Sequence, residues 1–203
     1  MKQGKLAVVL LVAALGAGCS DGVAGNALPS SSVAGSSPAT SSDAPNVPKV
    51  AQPLDTARYE KEPCAALTVD QLSQLGITTQ PKPDLESKLG PGCEWNAFDE
   101  VGVTLHATLL TAGSSLAKLY KQHEQGQWPF FEPVSDLSGY PGVLLDSLDA
   151  QPKGKCQIGV GVRDDLVYSV QVSVDPESKN YSDPCPVVRK AAEMAVSTMK
   201  AGA

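Results

Sequence analysis

The sequence is poor in the residue types on which much enzyme chemistry depends. It holds only two histidines, His106 and His123. Serine-hydrolase chemistry needs a serine, an imidazole and an acid side by side, and no Gly-x-Ser-x-Gly elbow is present to start such a set. No Cys-x-x-Cys pair or mixed Cys/His cluster has the spacing of a metal site. Asp146, Asp149 and the Asp164-Asp165 pair fit no calcium-loop pattern and read as solvated surface. Gly159-Val160-Gly161 lies inside strand-like sequence with no helix following, so it is not a phosphate loop. We therefore expect no catalytic residue, no metal and no cofactor. Basic residues are also scarce: 16 Lys and Arg stand against 22 Asp and Glu, for a formal charge of −6. Such a surface repels phosphate backbones and anionic headgroups, which excludes nucleic acid as an expected partner.

Long hydrophobic runs are missing too. Leu6 to Leu15 is an apolar stretch of ten residues, half of what a membrane-spanning helix needs. It follows Lys2 and Lys5 and precedes the small residues Gly16-Ala17-Gly18 and then Cys19. A short basic region, a ten-residue apolar core and small residues make a secretory signal. The small residue before Cys19 makes it resemble the lipobox of bacterial lipoproteins, with one departure. Gly16 stands where that motif usually has leucine, and Leu15 lies one step earlier. The resemblance implies cleavage after residue 18 and a diacylglycerol on the Cys19 sulfur, so the expected partner is the membrane itself, through the lipid. Each buried methylene contributes about 0.8 kcal/mol, and two acyl chains hold firmly. Loss of residues 1–18 removes Lys2 and Lys5 and leaves the remainder more acidic.

From 19 to 57 the chain is rich in Ser, Ala, Gly, Pro and Asp, with low-complexity stretches at 30–32 and 36–42. Such composition cannot bury enough surface to offset ordering entropy and reads as a disordered tether. A flexible segment of this length reaches roughly 35 Å. A domain is expected over 58–203. Within it, Thr68-Val69-Asp70-Gln71 is a capping box, with Leu67 and Leu72 as its hydrophobic staple and Gly76 as the stop. A second helix is expected over 114–125, with Leu116, Leu119, Tyr120 and His123 on one face. A third should start with Asp183 as N-cap and Pro184 at N1 and run to about Lys200.

Alternation predicts strands between the helices. The apolar sets are Val101 to Leu109, Cys156 to Val162, and Tyr168 to Val174, with Arg163-Asp164-Asp165 as a hairpin turn between the last two. Cys93, Trp95 and Ala97 suggest another strand, and 142–148 one more. Clean alternation predicts an antiparallel sheet with one packed and one polar face. Helices covering the packed face make the fold α+β.

The chain has five cysteines, an odd number for an exported protein. Cys19 accounts for itself, leaving Cys64, Cys93, Cys156 and Cys185. Four cysteines allow three pairings. Placement favours Cys64–Cys93 and Cys156–Cys185, each joining a helix end to a strand. Cys185 lies in line with Val188, Ala192, Ala195 and Met199, and Cys156 lies on the apolar face of its strand. Closing about 30 residues per loop contributes roughly 3–4 kcal/mol in the chain-entropy model.

The segments Glu62-Pro63-Cys64-Ala65-Ala66-Leu67-Thr68, Leu75-Gly76-Ile77, Cys93-Glu94-Trp95, the strand at Cys156 and Asp183-Pro184-Cys185 resemble a family of actinobacterial cell-envelope lipoproteins. This LprB/LprC-like group is a domain of unknown function, and the likeness covers about 64–200. It implies a lipoprotein on the extracytoplasmic face of the cell membrane and an architecture similar to a Mog1/PsbP-like sandwich. It implies no enzyme activity and supplies no active-site residues.

Two places could form a binding surface. Trp128-Pro129-Phe130-Phe131 reads first as a loop folded onto the core edge and second as an exposed apolar anchor. The polar strand face with Thr104, His106, Thr108, Ser169, Gln171 and Ser173 reads first as a wet sheet face and second as hydrogen-bonding surface for a carbohydrate or peptide. The expected function is a monomeric binding module of the cell envelope whose partner is an envelope protein or small ligand. Alternatives are an envelope-acting enzyme built from scattered carboxylates, or an accessory subunit of another protein.

Overall fold

A computed structural model describes residues 47–148 and 153–202. The expected signal at 1–18, the lipidated Cys19 and the tether up to residue 46 lie outside the described residues, as does Asp149.

Seven strands make one antiparallel sheet in the order β1-β2-β3-β7-β6-β5-β4. They are β1 (Lys82–Asp84), β2 (Gly92–Ala97), β3 (Val103–Leu109), β4 (Phe130–Leu137), β5 (Tyr140–Asp146), β6 (Lys155–Arg163) and β7 (Leu166–Val174). The helices are α1 (Ala57–Lys61), α2 (Val69–Ser73), α3 (Phe98–Val101), α4 (Leu116–Glu124) and α5 (Cys185–Ala201), with a 3-10 turn at Pro63–Ala66. The fold is α+β, as the alternating segments and capped helices predict.

The main core lies on one face of the sheet. Trp95, Leu105, Ile158, Val160, Val170 and Val172 point from the strands into it and are fully buried. Over them runs α5, which buries Val188, Ala191, Ala192, Ala195, Val196 and Met199. The small alanines let the helix lie close to the sheet, as expected of that stripe. Cys64–Cys93 ties the 3-10 turn to β2, and Cys156–Cys185 ties the start of α5 to β6; each pair is 29 residues apart. The capping box of α2 forms as read: the Thr68 hydroxyl accepts from the Gln71 N–H, and the Gln71 side chain accepts from the Thr68 N–H. Leu67 and Leu72 are both buried beside it. Gly76, at φ +76°, ends the turn, where an L side chain would be strained.

Several expectations are corrected. Packed chain begins before Arg58: Val50 and Leu54 are buried in the core, and the Leu54 N–H bonds to Val162 O at 3.0 Å. The Tyr140 hydroxyl donates to Gln52 O at 2.8 Å. Val101 is not in a strand. It ends the short α3 and is exposed, and Gly102 at φ +69° turns the chain into β3. Asp183 does not cap the last helix. The buried Pro184 occupies the cap position, with helical φ and ψ and no side-chain cap, so the helix begins at Cys185.

The second sheet face is only half polar. α4 covers its β5–β6 side, and Leu116, Leu119, Val143, Leu145 and Val167 form a small second cluster there. Glycines 159 and 161 make the room. A Cβ on Gly161 would meet Leu116 Cδ1 at 2.6 Å, and one on Gly159 would meet Leu119 Cδ1 at 2.9 Å. The sequence shows the glycines and predicts the helix, but not that the one packs on the other.

Candidate functional site

Register places the polar side chains of the uncovered half in rows. Lys82 pairs with Glu94, Glu94 with His106, His106 with Gln171, and Gln171 with Gln157. In the next row Asp84 pairs with Gly92, Gly92 with Thr108, and Thr108 with Ser169. Directly opposed residues on adjacent antiparallel strands share a sheet face and stand within side-chain reach. The outcome is a hollow of about 300 Å³ over β1–β3, lined by Lys82, Asp84, Ser87, Glu94, His106 and Thr108 among others. Gly92 deepens its floor: a Cβ there would lie 2.9 Å from Ala107 O and 3.0 Å from Thr108 Oγ1. The wall is the 85–91 loop, anchored where Gly90, at φ +131°, passes so close to Leu109 O that no side chain fits.

His106 Nδ1 lies 3.5 Å from Glu94 Oε2, and both side chains are partly exposed. Contact with a carboxylate favours an imidazole N–H directed at that oxygen and leaves the other ring nitrogen for a ligand. Farther along the face, Gln157 Nε2 donates to Ser169 Oγ at 2.8 Å, and the Thr104 hydroxyl donates to Asn96 Oδ1 at 3.3 Å. The hollow therefore offers a cation, two carboxylates, an imidazole and hydroxyls within one concavity. Those groups make directional hydrogen bonds to a small polar molecule. Among the described residues no group of three or more His, Cys, Asp and Glu side chains has the arrangement to hold a metal ion.

The aromatic segment lies elsewhere. Phe130 and Phe131 open the edge strand β4 rather than a loop. The Phe131 ring stacks on His123 at 4.3 Å and meets Tyr120 edge-on at 4.9 Å. Trp128 O lies 2.9 Å from His123 Nδ1, and Trp128 Nε1 donates to Gln122 at 3.4 Å. These contacts clasp α4 to the β4 edge, which is the core-edge reading of the segment. Trp128, Phe130 and Phe131 are each half-buried. His123 is exposed at the end of the apolar stripe, not within it. Three strands separate β3 from β4, so His106 and Phe131 stand roughly 19 Å apart at the usual strand spacing. They do not form one site.

Sequence reading finds His106 and Thr108 but misses Lys82, Asp84, Ser87 and Glu94. β1 is three residues long and contains Pro83, too short to show alternation. Glu94 is visible only as the polar alternate between Cys93 and Trp95.

Fold and hollow together define a disulfide-stapled α+β domain with a polar concavity at one edge of an antiparallel sheet. The chain belongs to the DUF3558 family, described as a protein of unknown function, whose model matches residues 14–198. No curated protein and no solved structure matches it.

Proposed function

We propose that this protein is a lipid-anchored, extracytoplasmic binding module of the cell envelope, held by Cys19 and reaching from the membrane on its tether. The signal-like N-terminus and the lipobox-like Gly18-Cys19 support export and lipidation. The family match begins at residue 14 and so includes Cys19. The two disulfides suit an oxidising compartment. The LprB/LprC-like resemblance and the Mog1/PsbP-like comparison belong to this reading, the latter through an antiparallel sheet carrying helices.

The observation that carries the binding role is the hollow with Lys82, Asp84, Glu94, His106 and Thr108 on its walls. Its ligand is a small molecule rich in hydroxyl or amide groups. Titration of the full chain with maltotriose and with a neutral tripeptide, followed by amide NMR, tests this. Saturable shifts confined to β1–β3 are expected with one of them. A hydrogen bond between uncharged groups contributes roughly 0.5–1.5 kcal/mol, so His106→Ala should weaken that binding about 2- to 10-fold. Uniform, non-saturating shifts with both probes would overturn the assignment of the hollow. A second reading, an enzyme acting on envelope material, is favoured by two carboxylates and an imidazole opening into the same hollow. Cleavage of either probe by the full chain, lost in Glu94→Gln, would decide for it.

A further inference from the structure

Two side chains on one wall of the polar hollow carry opposite charges that the chain itself leaves open. Lys82 and Asp84 lie two residues apart on β1, both exposed and both lining the hollow. Lys82 is directly opposed to Glu94 on β2. Opposed side chains on adjacent strands stand close enough to pair. The Glu94 carboxylate lies instead against His106 Nδ1, at 3.5 Å. Among the described residues the Lys82 ammonium has no ion pair and no hydrogen bond. Asp84 Oδ1 accepts from the Glu86 N–H at 3.0 Å, and among the described residues its other oxygen has no partner. With Glu94 and His106 facing each other, Lys82 and Asp84 are the two charges of the lining without an opposite.

This pair defines a ligand. A volume of about 300 Å³ is at the small end of the range for small-molecule sites. An uncharged ligand seated there strips water from an ammonium and a carboxylate and returns a charge to neither. A singly charged ligand satisfies one of them, and a zwitterion satisfies both. Spacing narrows the class further. Residues i and i+2 of a strand share a face and stand about 6.5–7 Å apart. Two residues of extended peptide span about 7 Å. Resting on the reading of the hollow as a binding site, we propose that its ligand is a short free peptide, a dipeptide with both ends uncapped, its ammonium on Asp84 and its carboxylate on Lys82. The Thr108 hydroxyl and the His106 ring, also in the lining, remain for the amide between them.

The test titrates the full chain with four peptides, followed by amide NMR: Ala-Ala, acetyl-Ala-Ala, Ala-Ala amide and acetyl-Ala-Ala amide. Ala-Ala should give saturable shifts in β1–β3 and bind most tightly. Exposed ion pairs are modest, so each cap should weaken binding about 2- to 5-fold, and added salt should narrow the gap. Lys82→Gln should abolish the loss caused by the C-terminal amide and keep the loss caused by acetylation. Asp84→Asn should do the reverse. Both positions are exposed, so neither change disturbs the core. Equal affinity for all four peptides, or cap effects that both variants leave intact, overturns the proposal while the hollow remains a binding site. Saturable binding of maltotriose with none of any peptide does the same. No saturable shift in β1–β3 with any of these probes overturns both.

Discussion

Tyr168 shows how a single side chain carries both cost and pH sensitivity. It is buried on the core face of β7, and its hydroxyl has no partner. Burial pushes its phenol well above the ordinary tyrosine value, and nearby Tyr59 adds to this. Tyr168→Phe removes an unpaired buried hydroxyl and leaves the ring, so it should leave stability unchanged or raise it by about 1 kcal/mol at neutral pH. The sign with pH follows from linkage. The folded state keeps the phenolic proton after the unfolded state has begun to lose it near pH 10. The tyrosine therefore costs nothing extra below pH 10, and stability falls as pH rises beyond it. Urea midpoints at pH 7 and pH 10.5 should fall more steeply for wild type than for Tyr168→Phe; equal falls would contradict this. His106 tells a related story about legibility. Its place on the polar face is readable from alternation in β3, but its partner Glu94 is set by strand register, which no local pattern encodes.

Among the elements, α4 takes its position from residues outside it. Its Leu116 and Leu119 fit over Gly161 and Gly159 of β6, and Phe131 and Trp128 brace its far end. Overpacking a fitted interface costs typically 1–3 kcal/mol. Gly161→Ala should destabilise the domain by about that amount and perturb amide signals of 116–124 more than those of α5. A variant as stable as wild type with α4 unshifted would show that the notch is not needed. Long, regular elements were readable: β3, β6, β7 and α5 each repeat their apolar spacing several times. β4 was hidden because Phe130-Phe131 and Pro133 do not alternate, and because its pairing shifts at a bulge between Val134 and Leu137. Pro133 is tolerable there because β4 is an edge strand. Val50 and Leu54 were hidden in polar, proline-containing sequence. Only the surface they meet, near Val162 and Asp164, gives them a place to bury.

At the scale of the molecule, the proposed place of the domain outside the cytoplasm bears on its bridges. Its two bridges each contribute roughly 3–4 kcal/mol in the chain-entropy model. That is a large share of a usual net stability of about 5–15 kcal/mol, so the fold leans on oxidation. Intact-mass analysis of the native protein, extracted from membranes and alkylated before and after reduction, tests this most directly. The expected product is a chain starting at Cys19 with a diacylglycerol on its sulfur and with Cys64, Cys93, Cys156 and Cys185 alkylated only after reduction. A chain starting at Met1, carrying no lipid and alkylated at all four domain cysteines without reduction, would contradict it.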